Sequence, residues 1–331
     1  MNSPEEIRKK IFNISLPEDF NALAIQIFYF QYRTNPVYQD FVDLLGKSPD
    51  NITDFHHIPF IPATFFRDQK VISGDEGEYE RVFSSSGTTG VIPSRHYIKD
   101  TKLYEESFMQ SFRLFYGSPE RWRIMALLPG YLERQDSSLV YMVDRLLAAT
   151  GQNGSGMYLH ERDKLADELQ KPAGDNIKTM LFGASYALHD FARDYPLPLH
   201  DATIVETGGM KGRNREMVRE ELHEILCRQL GVEVIHSEYG MTELLSQAYS
   251  KGKGVFRAPP WMRILIRDTH DPMQWLPCGQ TGGINIIDLA NLYSCSFIAT
   301  QDLGRLSSDG SFEVLGRFDD SDVRGCNLLV V

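Results

Sequence analysis

Apolar residues change their spacing along the chain, and the changes divide it into three stretches. Up to about residue 75 they recur at helical intervals, with Phe20, Leu23, Ile27 and Phe30 on one face. Ser3, Pro4 and Glu6 form an N-cap, first-turn proline and capping-box pattern, and Asn35-Pro36 opens a further helix that Gly46 can end. Strand and helix patterns then alternate. Strands are predicted at Arg81–Ser84, Arg123–Leu128, Thr179–Phe182, Thr203–Glu206 and Val232–His236. Helices are predicted at Thr101–Phe115, Ser138–Ala149 and Glu216–Leu230, the first with Phe108, Phe112 and Phe115 along one side. Beyond residue 255 helical spacing vanishes. Met262–Ile266, Gly283–Ile287, Ser296–Thr300 and Ser311–Leu315 read as short strands, with a turn at Asp309-Gly310. The expected organisation is a helical segment, 1–75, packed on an α/β body, 76–254, followed by a small β-subdomain, 255–331.

Composition narrows the function classes. The 331 residues are 42% hydrophobic and 24% charged, as in an ordinary globular protein, and the formal net charge is −11. A general nucleic-acid or anionic-membrane binder needs a positive field, so neither is expected, although a local basic pocket is compatible with that charge. No apolar run is long enough to span a membrane, and the start, MNSPEEIRKK, has neither a signal-peptide nor a transit-peptide pattern. A cytoplasmic protein is the expectation. Cys227, Cys278, Cys295 and Cys326 form no CxxC pair and no metal-ligand cadence, which predicts reduced thiols. The histidines show no HxxxH spacing, so zinc chemistry is not indicated.

The most informative stretch runs from Val82 into Ser84, Ser85, Ser86, Gly87, Thr88, Thr89 and Gly90. Glycines let backbone N–H groups converge and hydroxyls add donors, so such a loop can cradle phosphate oxygens. It is not a Walker loop, because no lysine follows the last glycine. A flexible polar surface loop has the same composition. Arg95 and His96 follow closely and are candidates for anion contact. Downstream come Glu238-Tyr239-Gly240-Met241-Thr242-Glu243, then Gln301-Asp302-Leu303-Gly304-Arg305, then Gly316-Arg317-Phe318-Asp319-Asp320. Singly these read as a helix start, a turn after a strand and a hairpin exit. Their order and intervals make them specific.

That ordered set resembles the adenylate-forming superfamily of acyl-CoA synthetases, luciferases and nonribosomal-peptide adenylation domains. SSSGTTG resembles its phosphate loop, EYGMTE its YGxTE motif, QDLGR its TGDLGR motif with Gln301 in place of glycine, and GRFDD its GRxDD hinge. Glu206-Thr207-Gly208-Gly209 falls where those proteins place an adenine-walling loop, with Met210 where an acidic residue is usual. The segment Ile58–Ser73, IPFIPATFFRDQKVIS, resembles two short-chain branches. One is the phenylacetate–CoA ligases. The closer is the acyl-protein synthetases of the bacterial luminescence fatty-acid reductase complex, which TIVETGGMKGR and the terminal RGCNLL also resemble.

The resemblance implies the α/β fold of an adenylate-forming N-terminal body, with layered α/β subdomains and a small β-subdomain, lacking the C-terminal lid. It implies ATP and Mg²⁺ as cofactors, a carboxylic acid, expected to be fatty, as substrate, and a thiol acceptor such as CoA. Ser84 to Gly90, with Arg95 and His96, would hold phosphates. Gly208, Gly209, Glu238, Tyr239 and Gly240 would border the adenine. Thr242 would donate to the α-phosphate, Glu243 would help hold Mg²⁺, Asp302 would accept from the ribose hydroxyls, and Arg317 would add a cation. In the luminescence branch a cysteine near the C-terminus carries the acyl group as a thioester before delivery to a reductase, a role that falls here to Cys326. The chain ends soon after the hinge, at Val331, so no residue matches the lysine of the family's lid. An acyl- or aryl-CoA ligase, and a catalytically weak nucleotide-binding partner subunit, stay open as alternatives.

Overall fold

The computed structural model describes residues 3–74, 77–85, 92–128, 136–158, 160–208 and 217–318. The N-terminal helices follow their caps. In α1, Pro4–Ile11, the Ser3 hydroxyl and the Glu6 carboxylate cap each other's backbone N–H groups, while α2, Pro17–Thr34, buries Phe20, Leu23, Ala24, Ile27, Phe28 and Gln31. The Asn35 side chain caps α3, Pro36–Leu44, and Gly46 lies just beyond its end with φ +65°. A two-residue strand β1, Ile61–Pro62, and one helical turn α4, Phe65–Asp68, complete this layer.

Strands β2, Arg81–Ser84, and β3, Arg95–Ile98, form a separate antiparallel hairpin. Next come α5, Thr101–Tyr116, β4, Trp122–Leu127, α6, Ser138–Thr150, β5, Gly156–Met157, α7, Arg162–Gln170, β6, Lys178–Gly183, α8, Ser185–Asp194, β7, Ala202–Glu206, α9, Arg219–Leu230, and β8, Ile235–Tyr239. In space β5, β4, β6, β7 and β8 are parallel neighbours, with β4 buried along its whole length, as expected of a strand covered on both faces. The remaining strands are β9, Ala248–Ser250, β10, Val255–Arg257, β11, Met262–Arg267, β12, Thr281–Asp288, β13, Phe297–Leu306, and β14, Phe312–Arg317. They extend the same sheet antiparallel, in the order β8-β9-β10-β14-β13-β12-β11.

Two expected strands move. The predicted Val232–His236 becomes Ile235–Tyr239, because Gly231 caps α9 in the left-handed conformation and Glu233 and Val234 stay exposed before the strand starts. The predicted Ser296–Thr300 runs on through the QDLGR motif to Leu306, so that motif is strand and not turn. Charged residues and Gly304 hid this extension. A Cβ at Gly304 would lie 2.5 Å from both the Glu313 carbonyl oxygen and Ile284 Cδ1, so only glycine fits where β13 passes between β12 and β14.

Buried polar ties join the helical layer to the segment that leads into β13. Gln31, fully buried, donates through Nε2 to the carbonyls of Asn291 (3.0 Å) and Leu292 (2.9 Å) and to the Ser296 hydroxyl (3.1 Å). Its Oε1 accepts from the Ser296 N–H (3.0 Å). Asn35 and Ser73 both donate to the Ser294 carbonyl. Replacing Gln31 by leucine strands these groups without water, and should cost about 2–3 kcal/mol of unfolding free energy. Urea denaturation measures it, and an unchanged midpoint would show that the ties do not hold the layers.

Candidate active site

The site residues gather at the C-terminal ends of the parallel strands, the usual location in an open α/β sheet. Glu206 ends β7, Glu238 and Tyr239 end β8, and Thr242 and Glu243 follow in the turn beyond. Asp302 lies on β13 opposite Arg317 on β14.

The β2–β3 hairpin presents the phosphate-loop candidate. Ser84 donates its N–H to the Asp136 carbonyl (2.8 Å), Ser85 donates its N–H to the Ser94 carbonyl (3.0 Å), and the Ser94 N–H donates to the Ser85 hydroxyl (2.9 Å). Ser86 to Gly90 lie outside the described residues, as do Gly209 and Cys326. Arg95 is exposed on β3, whereas His96 is buried and bonds the Thr242 carbonyl through Nδ1 (2.8 Å). Burial lowers the His96 pKa to about 4, so the ring is neutral at pH 7 and acts as a strut between hairpin and turn rather than as a cation. The turn is held again from below. The fully buried Asp288 carboxylate accepts from the N–H groups of Leu245 (2.8 Å) and Ser246 (2.9 Å), the Ser246 hydroxyl (2.6 Å) and the Ala290 N–H (3.2 Å). Asn291 donates to the Glu243 carbonyl (2.8 Å). Asp288 and Asn291 were missed by motif reading, and only their place at the end of an apolar strand pattern could have marked them.

Each buried carboxylate here has its own electrostatic state. Burial alone would raise Glu206, but the nearby His223 ring, hydrogen bonds from the Ser185 hydroxyl and the Gly208 N–H, and the neighbouring Ser237 hydroxyl outweigh it and bring the pKa down to about 2. The Ser185 hydroxyl and Gly208 N–H approach Glu206 at 2.6 and 2.7 Å, with Arg219 at 3.6 Å. Glu238 on the adjacent strand has no such set of donors among the described residues. Burial, then the charge of Glu206, raise it to about 8. Glu243 is also raised by burial, which the Ser94 hydroxyl, Arg317 and Arg67 offset only in part. A buried, incompletely compensated carboxylate beside a hydroxyl-rich hairpin is chemically suited to a hard cation that also binds phosphate oxygens. Asp302, buried, accepts from the Tyr239 hydroxyl (2.7 Å) and from Arg317 Nε (2.8 Å). Gly240 is exposed, and a Cβ there would lie 2.6 Å from Glu238 Oε1, so a larger residue would have to displace that carboxyl group. Gly208 holds φ +73°, a conformation glycine adopts without strain. No cluster of metal-binding side chains occurs among the described residues, and no described helix is long and apolar enough to cross a membrane.

Because Glu238 keeps its proton up to about pH 8 in the fold but releases it near 4.5 when unfolded, it weakens the protein progressively as pH rises between those values. Glu238→Gln removes this loss. The variant's stability relative to wild type should grow by about 1–3 kcal/mol from pH 5 to pH 8 in urea titrations. Parallel pH profiles for the two proteins would contradict the assignment.

No family model matches the chain. It is 23% identical over 327 residues to long-chain-fatty-acid–luciferin-component ligase of Vibrio harveyi, covering 91% of this chain and 84% of that protein. A shorter match, 31% identical over 87 residues, covers 26% of this chain and 64% of the ligase of the same name from Photorhabdus luminescens. Among solved structures, 2-hydroxyisobutyryl-CoA ligase in its postadenylation state superposes with a TM-score of 0.64 at 14% identity, over 97% of this chain and 73% of that one. ATP-bound MatB from Rhodopseudomonas palustris gives a TM-score of 0.53 at 18% identity over 71% of this chain; the aligned region is 47% of MatB, about half its length. The expected α/β architecture is thus the observed one. By sequence the chain is similar over nearly its full length to a long-chain-fatty-acid ligase, and by fold to a CoA ligase in its postadenylation state.

Proposed function

We propose that the protein activates a carboxylic acid, most simply a fatty acid, as an acyl adenylate at the expense of ATP and passes the acyl group to a thiol. One arrangement carries the reading: His96 fixes the Thr242–Glu243 turn to the β2–β3 hairpin, and Arg317, paired with Asp302, acts on the Glu243 carboxylate through its charge. In the reaction a carboxylate oxygen bonds to the α-phosphorus as the bond to the β-phosphate oxygen breaks, and pyrophosphate leaves. A thiolate then attacks the acyl carbon and AMP departs. Catalysis of the first step rests on positioning and on stabilising phosphate charge.

In this reading the hydroxyls and N–H groups of the Ser84–Gly90 loop hold the triphosphate, and Thr242 donates to the α-phosphate. Asp302 exchanges the Tyr239 hydroxyl for ribose hydroxyls, and the freed Tyr239 ring lies against the adenine beside Gly208 and Gly209. Glu243 would hold Mg²⁺, which supplies neutralising charge at the phosphate oxygens. Cys326 is the internal acyl acceptor, active as the thiolate. The likeness to long-chain-fatty-acid–luciferin-component ligase over 91% of the chain supports a fatty acid as substrate, and an acyl reductase is the partner implied by the resemblance of the terminal RGCNLL segment. A second reading, thioester formation on CoA, is favoured by the likeness in fold to 2-hydroxyisobutyryl-CoA ligase, solved with 2-HIB-AMP and CoA (TM-score 0.63).

Trapping with hydroxylamine in the presence of ATP, Mg²⁺ and a panel of acids distinguishes these. Wild type should form a hydroxamate with at least one acid, and Asp302→Ala should lower its rate by about 10–100-fold. Cys326→Ser should retain the hydroxamate but lose the covalent acyl–protein adduct. CoA thioester formed equally well by Cys326→Ser, with no adduct on wild type, supports the CoA reading. Absence of hydroxamate with every acid contradicts both.

A further inference from the structure

Parallel pairing of β1 with β13 brings a second arginine to the site. Ile61 and Pro62 sit opposite Ile298 and Ala299, and the Ala63 N–H donates to the Ala299 carbonyl (2.9 Å). The chain then enters α4, where the buried Phe66 ring meets His96 edge-on at 5.5 Å between centroids. These contacts fix the next residue, Arg67, against Gln301 just beyond Ala299, and Arg67 Nη2 donates to Gln301 Oε1 (3.1 Å). Gln301 stands where the resembled motif has glycine, which has no side chain to make this contact.

An amide oxygen orients a guanidinium without cancelling its charge. Arg317 differs: its partner Asp302 neutralises it. Among the described residues no carboxylate lies within ion-pairing distance of Arg67, yet its charge acts on the buried Glu243. An oriented guanidinium with no carboxylate partner among the described residues therefore lies against Gln301, the residue that precedes Asp302 on β13. The resembling segment Ile58–Ser73 contains Arg67, but that resemblance gave the residue no role.

We propose that Arg67 binds an oxyanion of the reacting pair, either a nucleotide phosphate or the acid's carboxylate, with Gln301 as its positioning residue. The proposal rests on the ligase reading, and equilibrium binding separates the two. Isothermal titration of the full chain with ATP, and separately with octanoate, should show Arg67→Ala weakening one ligand by at least about tenfold. Arg67→Lys should recover part of the affinity, because the charge returns without the planar fork. Gln301→Glu, which offers Arg67 a carboxylate, should reproduce the loss without altering Arg67 and serves if Arg67→Ala does not fold. A loss confined to ATP assigns the phosphate, and one confined to octanoate assigns the carboxylate. Unchanged affinity for both ligands in folded Arg67→Ala, or no binding of either to wild type, overturns the proposal. Arg67-dependent ATP binding without hydroxamate from any acid upholds Arg67 and contradicts the ligase activity.

Discussion

The buried carboxylate of Asp288 fixes the turn on which the rest of the site depends. It accepts backbone N–H groups from Leu245 and Ser246 on one side and from Ala290 on the other. A turn between a parallel strand and an antiparallel one would otherwise leave those donors buried and unmade, at a cost of about 1–3 kcal/mol each. With the turn fixed, the Thr242 carbonyl is available to His96, and Glu243 to Ser94. The hairpin bearing the serine-rich loop is thereby joined to the sheet end. Gln31 and Asn35 then secure the segment beyond Asp288, which runs directly into β13 and Asp302.

Charge at the site is arranged by unequal compensation. Glu206 is ionised because donors surround it, and Glu238 is neutral because they do not. Glu243 and Asp288 are both pushed upward by burial, the second despite its hydrogen bonds. A chain with net charge −11 thus concentrates carboxyl groups where its strands end and places only selected arginines among them. Such a site is well suited to a nucleotide that arrives with its own cation.

The fold was legible wherever periodicity and punctuation agreed. Ser3, Asn35-Pro36 and Gly46 marked helix ends correctly, and Arg81–Ser84 and Thr101–Tyr116 begin where the pattern placed them. It failed at β8 and β13, where polar residues and a glycine interrupt the apolar pattern: Glu238 is buried inside a central strand, and Asp302 and Gly304 occupy a continuous one. Motif order identified Glu243, Thr242 and Asp302, which the structure brings to one end of the sheet. It assigned His96 to anion contact, whereas burial makes it a neutral strut. Asp288, Asn291 and Arg67 were not legible, because each acts through a partner far away in sequence.

The central claim is that the Thr242–Glu243 turn, the β2–β3 hairpin and Asp302 together form one nucleotide-binding cleft. A crystal structure with a non-hydrolysable acyl-adenylate analogue tests it most directly. The account predicts the ribose hydroxyls on Asp302, the phosphate beside Thr242, and a Tyr239 hydroxyl released from Asp302. An analogue bound elsewhere, or an Asp302–Tyr239 bond left intact beneath it, would contradict the account.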